Sequence, residues 1–150
     1  MSRHPYNEKK LTREDVIAIA KVQKGSESGG EKYSTVGEES LYEADLSQLD
    51  LSNLDLREVT FQGANLYKTD FHGSNLTAAS FQETNLAGAN LSQSNLFSAY
   101  LDGAKLQPKN EKANLSRANL CKADLYQVDL SGCYLFGANL SDAELPGANL

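Results

Sequence analysis

A large apolar residue recurs at every fifth position from Leu46 to Leu106, and the same spacing resumes from Leu115 to Leu150. We call these twenty-one residues the centres; eighteen are leucine and three are phenylalanine. The series skips once, because Leu115 follows Leu106 by nine residues instead of five. Such a dense repeat is interpreted before any local propensity, because it constrains the architecture of the whole chain.

The residues around each centre follow one order. Two positions earlier stands alanine in twelve repeats, and the residue between is Asn or Asp in fifteen. Alternate residues of an extended segment share a face, so the centre and the small residue are predicted to point inward and the Asn or Asp outward. The two remaining residues of each repeat follow the centre and are predicted to form the corner. All seven glycines after Gly37 occupy the second corner position, where a type II turn requires a positive φ.

A chain that runs three residues, turns and runs again can pair its backbone groups only between successive coils. The repeat therefore predicts a solenoid in which the centres fill the interior. The spacing alone leaves open whether three or four sides close each coil.

The repeats resemble those of the pentapeptide repeat family over residues 44 to 150, as in Ala64-Asn65-Leu66, Ala118-Asn119-Leu120 and Ala123-Asp124-Leu125. The resemblance implies an all-β fold, a right-handed quadrilateral β-helix with four repeats per coil and about five coils. It also implies that side chains twenty residues apart are stacked, such as Phe61 over Phe81. The regular Ala-Asn/Asp-Leu form is similar to that of many cyanobacterial members.

Residues 1 to 40 are predicted to precede the β-helix of residues 41 to 150. A capping helix is expected at about 13 to 24, because Thr12 and Asp15 are spaced as a capping box. Its apolar side is too broad to face water, which favours a cap over the lower end of the solenoid; the alternative is a helix that docks on another protein.

A connector rich in Gly and Ser follows at residues 25 to 32 and is predicted to be flexible. Residues Tyr33 to Val36 are a candidate for a strand that joins the first coil. Leu41 is in phase with the centres, but Glu39 and Ser40 precede it, so we expect at best a degenerate first repeat.

Four extra residues after Leu106 create an insertion at about 107 to 112, which is expected to bulge outward as a loop. Basic residues gather near it in the sequence: Lys105, Lys109, Lys112, Arg117 and Lys122. They predict either a solvated, positively biased loop or a docking site for an acidic partner.

Aromatic residues also stand at outward positions. Phe97 is at a corner, Tyr100 replaces the usual Asn, and Tyr126 is expected one coil above Tyr100. Tyr134 and Phe136 form a second such pair. Single surface aromatics are ordinary, whereas clustered ones favour a contact surface, so Phe97, Tyr100 and Tyr126 join the five basic residues as candidate partner-binding residues.

Several functional classes are disfavoured. A core filled with Leu and Ala offers no catalytic pocket, and no catalytic residue is predicted. His4, His72 and the two cysteines lack ligand spacing, so neither a metal site nor a cofactor is expected. The net charge of −6 argues against direct nucleic-acid binding. The longest apolar run is too short to cross a membrane.

The sequence therefore predicts a non-catalytic scaffold that binds another protein. The alternative is a DNA mimic that binds DNA gyrase and protects it from quinolones, a role that the family resemblance suggests for some members. The two cysteines fall on different sides, which favours a reduced, cytoplasmic protein. Leu150 ends inside a repeat, which predicts either an end-to-end homodimer through the C-terminal coil or a fragment of a longer protein.

Overall fold

The computed structural model of the protein describes residues 10–25, 41–107 and 111–150, without the side chains of residues 22–25. One helix, α1, spans Arg13–Gly25. In the rest of the described chain, the β structure consists of single-residue parallel bridges between coils. The predicted Tyr33 to Val36 strand and most of the predicted connector lie outside the described residues.

The bridges define the number of sides in a coil. Asp45 pairs with Asn65 and Asn75 with Asn95, both twenty residues apart in the sequence, so four repeats complete one coil. Across the insertion the offset becomes twenty-four, as between Asn90 and Asn114, and the pairing continues. The four-sided coil that the family resemblance implied is therefore observed.

Each coil has four walls, which we number by the columns of their outward residues. Wall 1 carries Asp45, Asn65, Asn85, Lys105, Asp129 and Asn149. Wall 2 carries Asp50, Asp70, Asn90, Asn114 and Tyr134. Wall 3 carries Asp55, Asn75, Asn95, Asn119 and Asn139. Wall 4 carries Thr60, Ser80, Tyr100, Asp124 and Glu144. A corner takes the numbers of the two walls that it joins, so the insertion belongs to corner 1–2.

The corners are tight turns closed by a backbone hydrogen bond. The Ala64 N–H donates to the Phe61 carbonyl at 2.9 Å, and the residue between them, Gly63, has a φ of 70°. The positive φ predicted for the glycines is confirmed. Thirteen other residues also adopt it, among them Ala78 at 56°. Stacking between coils therefore imposes this conformation even where a Cβ makes it unfavourable.

The centres fill the axis of the coil, as predicted. The rings of Phe61 and Phe81 stack with centroids 5.1 Å apart, and Phe71 meets Phe61 edge-on at 5.6 Å. Leu41 is fully buried, and the corner after it is closed by the bond from the Ala44 N–H to the Leu41 carbonyl at 3.2 Å. Glu39 and Ser40, on which the prediction of a degenerate repeat rests, lie outside the described residues. In the uppermost coil the centres are less covered, and Leu150 is 69% exposed.

The helix α1 packs against the first coil. Val16, Ile19 and Ala20 on its inner side are buried within the main core, as is Leu11, which precedes the helix. The predicted capping box is present, because the Thr12 N–H donates to Asp15 Oδ2 at 2.8 Å. Arg13 binds the first coil at wall 2, where its Nη1 lies 2.9 Å from Asp50 Oδ1, and its Nη2 donates to the Ser52 carbonyl at the next corner.

Candidate partner-binding surface

The outward aspartates serve the backbone. In all six that the sequence places in the outward slot, one carboxylate oxygen accepts the N–H of the residue two positions later: Asp45, Asp50, Asp55, Asp70, Asp124 and Asp129. The Ser52 hydroxyl and N–H lower the pKa of Asp50, and Ser131 does the same for Asp129. These hydrogen bonds stabilise the charged form of Asp50 and Asp129, which suits them as corner acceptors.

Asparagines extend this bonding from coil to coil. The Asn119 amide donates to Asn95 Oδ1 at 3.0 Å, and the Asn139 amide donates to Asn119 Oδ1 at 3.2 Å. On wall 1 the Asn85 amide likewise donates to Asn65. Asn and Asp alternate in these columns because both supply the acceptor oxygen, which explains their interchange in the sequence.

The insertion is fastened to the coils on both sides of it. Glu111 reaches two coils down, where its Oε1 lies 3.0 Å from Lys68 Nζ and accepts from the Tyr67 hydroxyl. The side chain of Lys68 lowers the pKa of Glu111, and Glu111 raises that of Lys68. Gly88 lies between them, and a Cβ there would be 3.1 Å from Lys68 Cγ. A glycine therefore leaves the space through which the ion pair forms.

The basic residues that are grouped in the sequence are separated in the structure. Lys105 lies on wall 1, Lys112 at corner 1–2, Arg117 at corner 2–3 and Lys122 at corner 3–4. Lys109 lies outside the described residues. Five residues advance the chain by one wall, so neighbouring repeats face different directions. The structure therefore contains no single basic patch formed by the described members of this group.

The candidate aromatics lie closer together. Tyr100 on wall 4 is 49% exposed, and Tyr126, one coil higher at corner 4–1, is 45% exposed. Tyr42 lies at the same corner and is exposed to a similar degree. Phe97 is half-buried at corner 3–4, where Lys122 Nζ is 5.8 Å from its ring centroid. Tyr134 and Phe136 are exposed on wall 2 and at corner 2–3.

Acidic residues surround the three tyrosines. Wall 4 and corner 4–1 carry Glu43, Glu83, Asp102, Asp124 and Glu144. Within residues 41–107 and 111–150, neither this wall nor this corner has a Lys or Arg. A hydrogen bond with Glu43, together with the charges of Glu43 and Glu83, raises the pKa of Tyr42. We call this surface, with Tyr42, Tyr100 and Tyr126, the acidic tyrosine face.

Sequence reasoning found Tyr100 and Tyr126 but missed the acids, because Glu43, Glu83 and Asp102 are widely separated along the chain. Counting in steps of twenty residues would have brought them to one corner.

The described residues form neither a metal site nor a membrane-spanning helix. They contain no group of three or more His, Cys, Asp or Glu side chains arranged to hold a metal ion. The described part of the chain also has no helix of the length and hydropathy needed to cross a membrane. Cys121 and Cys133 are both free, and burial raises the pKa of the Cys133 thiol.

Comparisons with known proteins agree with the fold. The sequence model for pentapeptide repeats matches in eight copies over residues 40–77, 74–107 and 113–150. No curated protein matches the chain. Among solved structures, QnrB1, a plasmid-mediated fluoroquinolone resistance protein, aligns with a TM-score of 0.60 at 24% identity, over 67% of this chain and 46% of QnrB1.

Two further structures are similar in sequence. A pentapeptide repeat protein from the thylakoid lumen of Arabidopsis thaliana is 28% identical, covering 74% of this chain and 68% of its own length, with a TM-score of 0.46. HetL from Nostoc, involved in regulating heterocyst differentiation, is 30% identical over 73% of this chain and 58% of HetL, with a TM-score of 0.42. The chain thus spans less than two thirds of QnrB1 and of HetL. From its repeats, its four-sided coils and the family match, the chain belongs to the pentapeptide repeat family, whose members fold as right-handed quadrilateral β-helices.

Proposed function

We propose that this protein is a non-catalytic scaffold that binds another protein through the acidic tyrosine face. The observation that carries the proposal is that one wall and its adjoining corner carry three exposed tyrosines and five acids and, among the described residues, no Lys or Arg. Tyrosine is enriched at protein interfaces because a rigid apolar ring ends in a hydroxyl that forms hydrogen bonds.

A core of this kind favours binding over catalysis. The centres and small residues below the last coil are buried, and their few hydroxyls bond to backbone carbonyls, as Ser74 does to Leu51. The outward carboxylates are hydrogen-bonded within the corners. The polar and charged side chains are therefore concentrated on the outer walls, where a partner can be recognised by shape and charge.

The negative charge of the acidic tyrosine face indicates the charge of its partner. A surface with five carboxylates and no described base attracts a basic protein surface and repels an acidic one. This proposal replaces the acidic partner expected from the insertion, since the bases near the insertion point in different directions. Lys122, Phe97 and Lys105 border the face, whereas Lys112 and Arg117 lie off it.

The proposal is tested by photocrosslinking in cells from the source organism. A photoreactive phenylalanine analogue at Tyr100 is expected to capture a basic protein, and the same group at Gln93, exposed on the opposite corner, is not. The purified pair should dissociate more readily at high salt, because exposed charges are screened. Equal capture from both positions would contradict the assignment of the face.

A matched pair of variants separates binding from stability. Changing both Tyr100 and Tyr126 to Ser is expected to abolish binding of the captured partner while leaving the unfolding midpoint nearly unchanged. Changing both Tyr134 and Phe136 to Ser should leave binding intact. A large loss of stability in the first variant would show that the two tyrosines are packing residues.

A DNA mimic that binds DNA gyrase is the second candidate, because the acidic tyrosine face presents a strip of negative charge along the coils. Inhibition of gyrase supercoiling by the wild-type protein, and its relief by changing Glu83 and Asp102 to Gln and Asn, would support this function. An unchanged supercoiling rate at excess protein would exclude gyrase as the partner.

Three further features belong to this proposal. We propose about five coils, a division between an N-terminal segment of residues 1–40 and a β-helix of residues 41–150, and a cytoplasmic location, which suits the two free thiols. Fractionation of cells from the source organism would test the location.

The uppermost coil supports an end-to-end homodimer, because Leu135, Leu140 and Leu145 are only partly buried and Leu150 is exposed. A second copy stacked on this coil would cover these side chains and pair the open backbone edge. Light scattering coupled to size exclusion should give twice the chain mass of 16.3 kDa. A monomer at micromolar concentration would contradict this arrangement.

A further inference from the structure

The upper part of wall 2 differs in charge from the rest of the molecule. It consists of residues 112–117 and 131–137, which are two successive passages of the chain along this wall and its two corners. These two ranges contain Lys112 and Arg117 and no Asp or Glu, although the whole chain has a net charge of −6. We call this surface, with Lys112, Arg117, Tyr134 and Phe136, the basic aromatic patch.

The two aromatic residues of the patch occupy positions that are polar in the coil below. Tyr134 stands above Asn114 in the outward column of wall 2, and Phe136 stands above Ser116 at corner 2–3. They are the two most exposed aromatic residues in the described part of the chain, at 61% and 77%. Their carbonyls accept the usual ladder bonds, so the rings themselves serve neither the core nor the ladder. Such clustered exposed rings favour a contact surface.

Two glycines allow the bases to reach the level of these rings. Gly132 lies at the corner before the two rings, and Gly137 follows directly after them. A Cβ on Gly132 would be 2.7 Å from Lys112 Nζ, and a Cβ on Gly137 would be 3.4 Å from Arg117 Cγ. The side chains of both bases therefore rise from the coil below against the coil that carries the rings. One cation lies on each side of the rings, and one wall, roughly 10 Å of extended chain, separates them.

Neither base of the patch is paired with an acid of the described chain. Arg57 and Lys68 each bind a carboxylate, at 2.8 and 3.0 Å. Lys112 and Arg117 form no ion pair with any residue in the ranges 10–25, 41–107 and 111–150, and both side chains are exposed. Glu111, which precedes Lys112 in the sequence, is held by Lys68. Both cations are therefore available to carboxylates from outside the chain.

We propose that the basic aromatic patch binds an acidic segment of a partner protein, with two carboxylates that flank an aromatic or large apolar side chain. The carboxylates pair with Lys112 and Arg117, and the side chain between them packs on Tyr134 and Phe136. A protein segment fits this surface better than a nucleic acid does, because two bases on a chain of net charge −6 provide few phosphate contacts.

The patch and the acidic tyrosine face lie on opposite sides of the coil, because wall 2 adjoins neither wall 4 nor corner 4–1. Binding at the patch therefore does not require the acidic tyrosine face, and both surfaces can be occupied at once. A protein with both sites bridges an acidic partner and a basic one. The patch also differs from the docking site predicted at the insertion, since Lys105 and Lys122 lie on other sides and take no part.

The test uses the intact protein and two peptides of opposite charge, acetyl-Glu-Gly-Phe-Gly-Glu-amide and the same peptide with Lys in place of both Glu. Alternate residues of an extended segment share a face, so both charges and the ring can meet the protein together. In an NMR titration at low salt, the Glu peptide should shift the amides of Arg117, Tyr134 and Phe136. The Lys peptide should shift those of the acidic tyrosine face instead. Shifts from the Lys peptide alone would overturn this proposal and leave the proposed function standing.

Two variants with the same change in charge locate the site. Changing both Lys112 and Arg117 to Gln should weaken binding of the Glu peptide roughly fivefold, because two exposed ion pairs are lost. Changing both Lys105 and Lys122 to Gln removes two charges elsewhere and should weaken it less than about twofold. Glutamine suits the corner of Arg117, since Gln93 holds the same position one coil below with a φ of 58°. Unchanged unfolding midpoints would show that both variants are folded.

The aromatic part of the patch is tested by changing both Tyr134 and Phe136 to Ser. This variant should lose affinity for the Glu peptide and keep its affinity for the Lys peptide. Equal weakening by the two pairs of Gln substitutions, or tighter binding of single-stranded oligothymidylate than of the Glu peptide, would overturn the proposal. So would shifts at the patch that grow with the concentration of the protein alone, because a second copy would then be the occupant.

Discussion

Walls 1 and 3 join the same two coils on opposite sides, and only one of them is fully paired. On wall 3, the Leu96 N–H donates to the Asn119 carbonyl at 2.7 Å, and the Asn119 N–H donates to the Ser94 carbonyl at 3.0 Å. On wall 1, the corresponding groups of Leu106, Asp129 and Ala104 make no such bonds. The walls have the same repeat pattern and nearly equal burial of Leu96 and Leu106.

The difference shows how a solenoid tolerates an insertion. Wall 3 does not adjoin the corner that holds the extra residues, and its ladder passes the insertion without a break. Wall 1 ends at the insertion and loses its pairing over one triplet. Disruption is thus confined to the wall that ends at the insertion, as expected when each rung contacts only the rungs above and below it.

Truncating a centre should separate the two walls most clearly. Leu96→Ala leaves a closed cavity beneath a paired wall and is expected to lower the free energy of unfolding by about 4 kcal/mol. Leu106→Ala, in the unpaired triplet of wall 1, should lower it by about 2 kcal/mol. Urea denaturation followed by circular dichroism gives both values. Equal losses would show that wall 1 is as tightly closed as wall 3.

Two glycines with the same φ test how the insertion is held. An alanine at Gly88, where φ is 66°, must adopt an unfavourable conformation and also displaces the Lys68–Glu111 pair, so a larger loss of stability than at Gly103 is expected. At Gly103 the nearest side-chain atom would be 3.6 Å away, and only the cost in φ remains, about 1 kcal/mol. Similar losses in thermal unfolding would argue against a fastened insertion.

The amide columns offer a finer comparison. Asn119→Ala removes three hydrogen bonds from wall 3 and should lower the free energy of unfolding by about 1 kcal/mol. Lys105→Asn supplies wall 1 with an amide that can donate to Asn85, as Asn85 does to Asn65, and should raise it by about 0.5 kcal/mol. Chemical denaturation of the two variants checks the sign of each change in the free energy of unfolding. A destabilising Lys105→Asn would contradict the role assigned to the column of outward amide side chains on wall 1.

Acid should affect wall 1 before wall 3, although the effect is small. The pKa values of Asp45 and Asp129 on wall 1 are lowered in the folded protein, despite partial burial at Asp45, by hydrogen bonds from Ser47 and Ser131. Their stabilisation is complete above the ordinary pKa of about 3.9 and is lost as the pH falls through the lower folded values. Wall 3 has one outward carboxylate, Asp55 in the first coil, and its other outward residues, Asn75, Asn95, Asn119 and Asn139, do not titrate.

The corresponding variant is Asp129→Asn, which keeps the acceptor oxygen but cannot gain a proton. It should lose less of its melting temperature between pH 7 and pH 2.5 than the wild-type protein does. An unchanged acid dependence would mean that Asp129 makes no contribution.

The five-residue period predicted much of this structure because it identifies the residues that are buried. It identified the buried centres, the small residues beside them and the glycine corners. It did not identify residues such as Lys68 and Ala78 that take a positive φ, since only stacking against neighbouring coils imposes that conformation.

The surface was harder to predict because the spatial neighbours are twenty residues apart. Lys105, Arg117 and Lys122 are close in the sequence yet face different directions, whereas Glu83 and Asp102 converge at one corner. The length of the insertion was evident from Leu106 to Leu115, but the wall that it opens depends on which corner it occupies. That corner follows from the four-sided coil and not from the local sequence.

Amide hydrogen exchange measured residue by residue tests the central comparison most directly. The structure predicts slow exchange at Leu96 and Asn119 on wall 3 and fast exchange at Leu106 and Asp129, which hold the equivalent positions on wall 1. Slow exchange at all four amides would contradict the account, because it would mean that the ladder continues unbroken past the insertion.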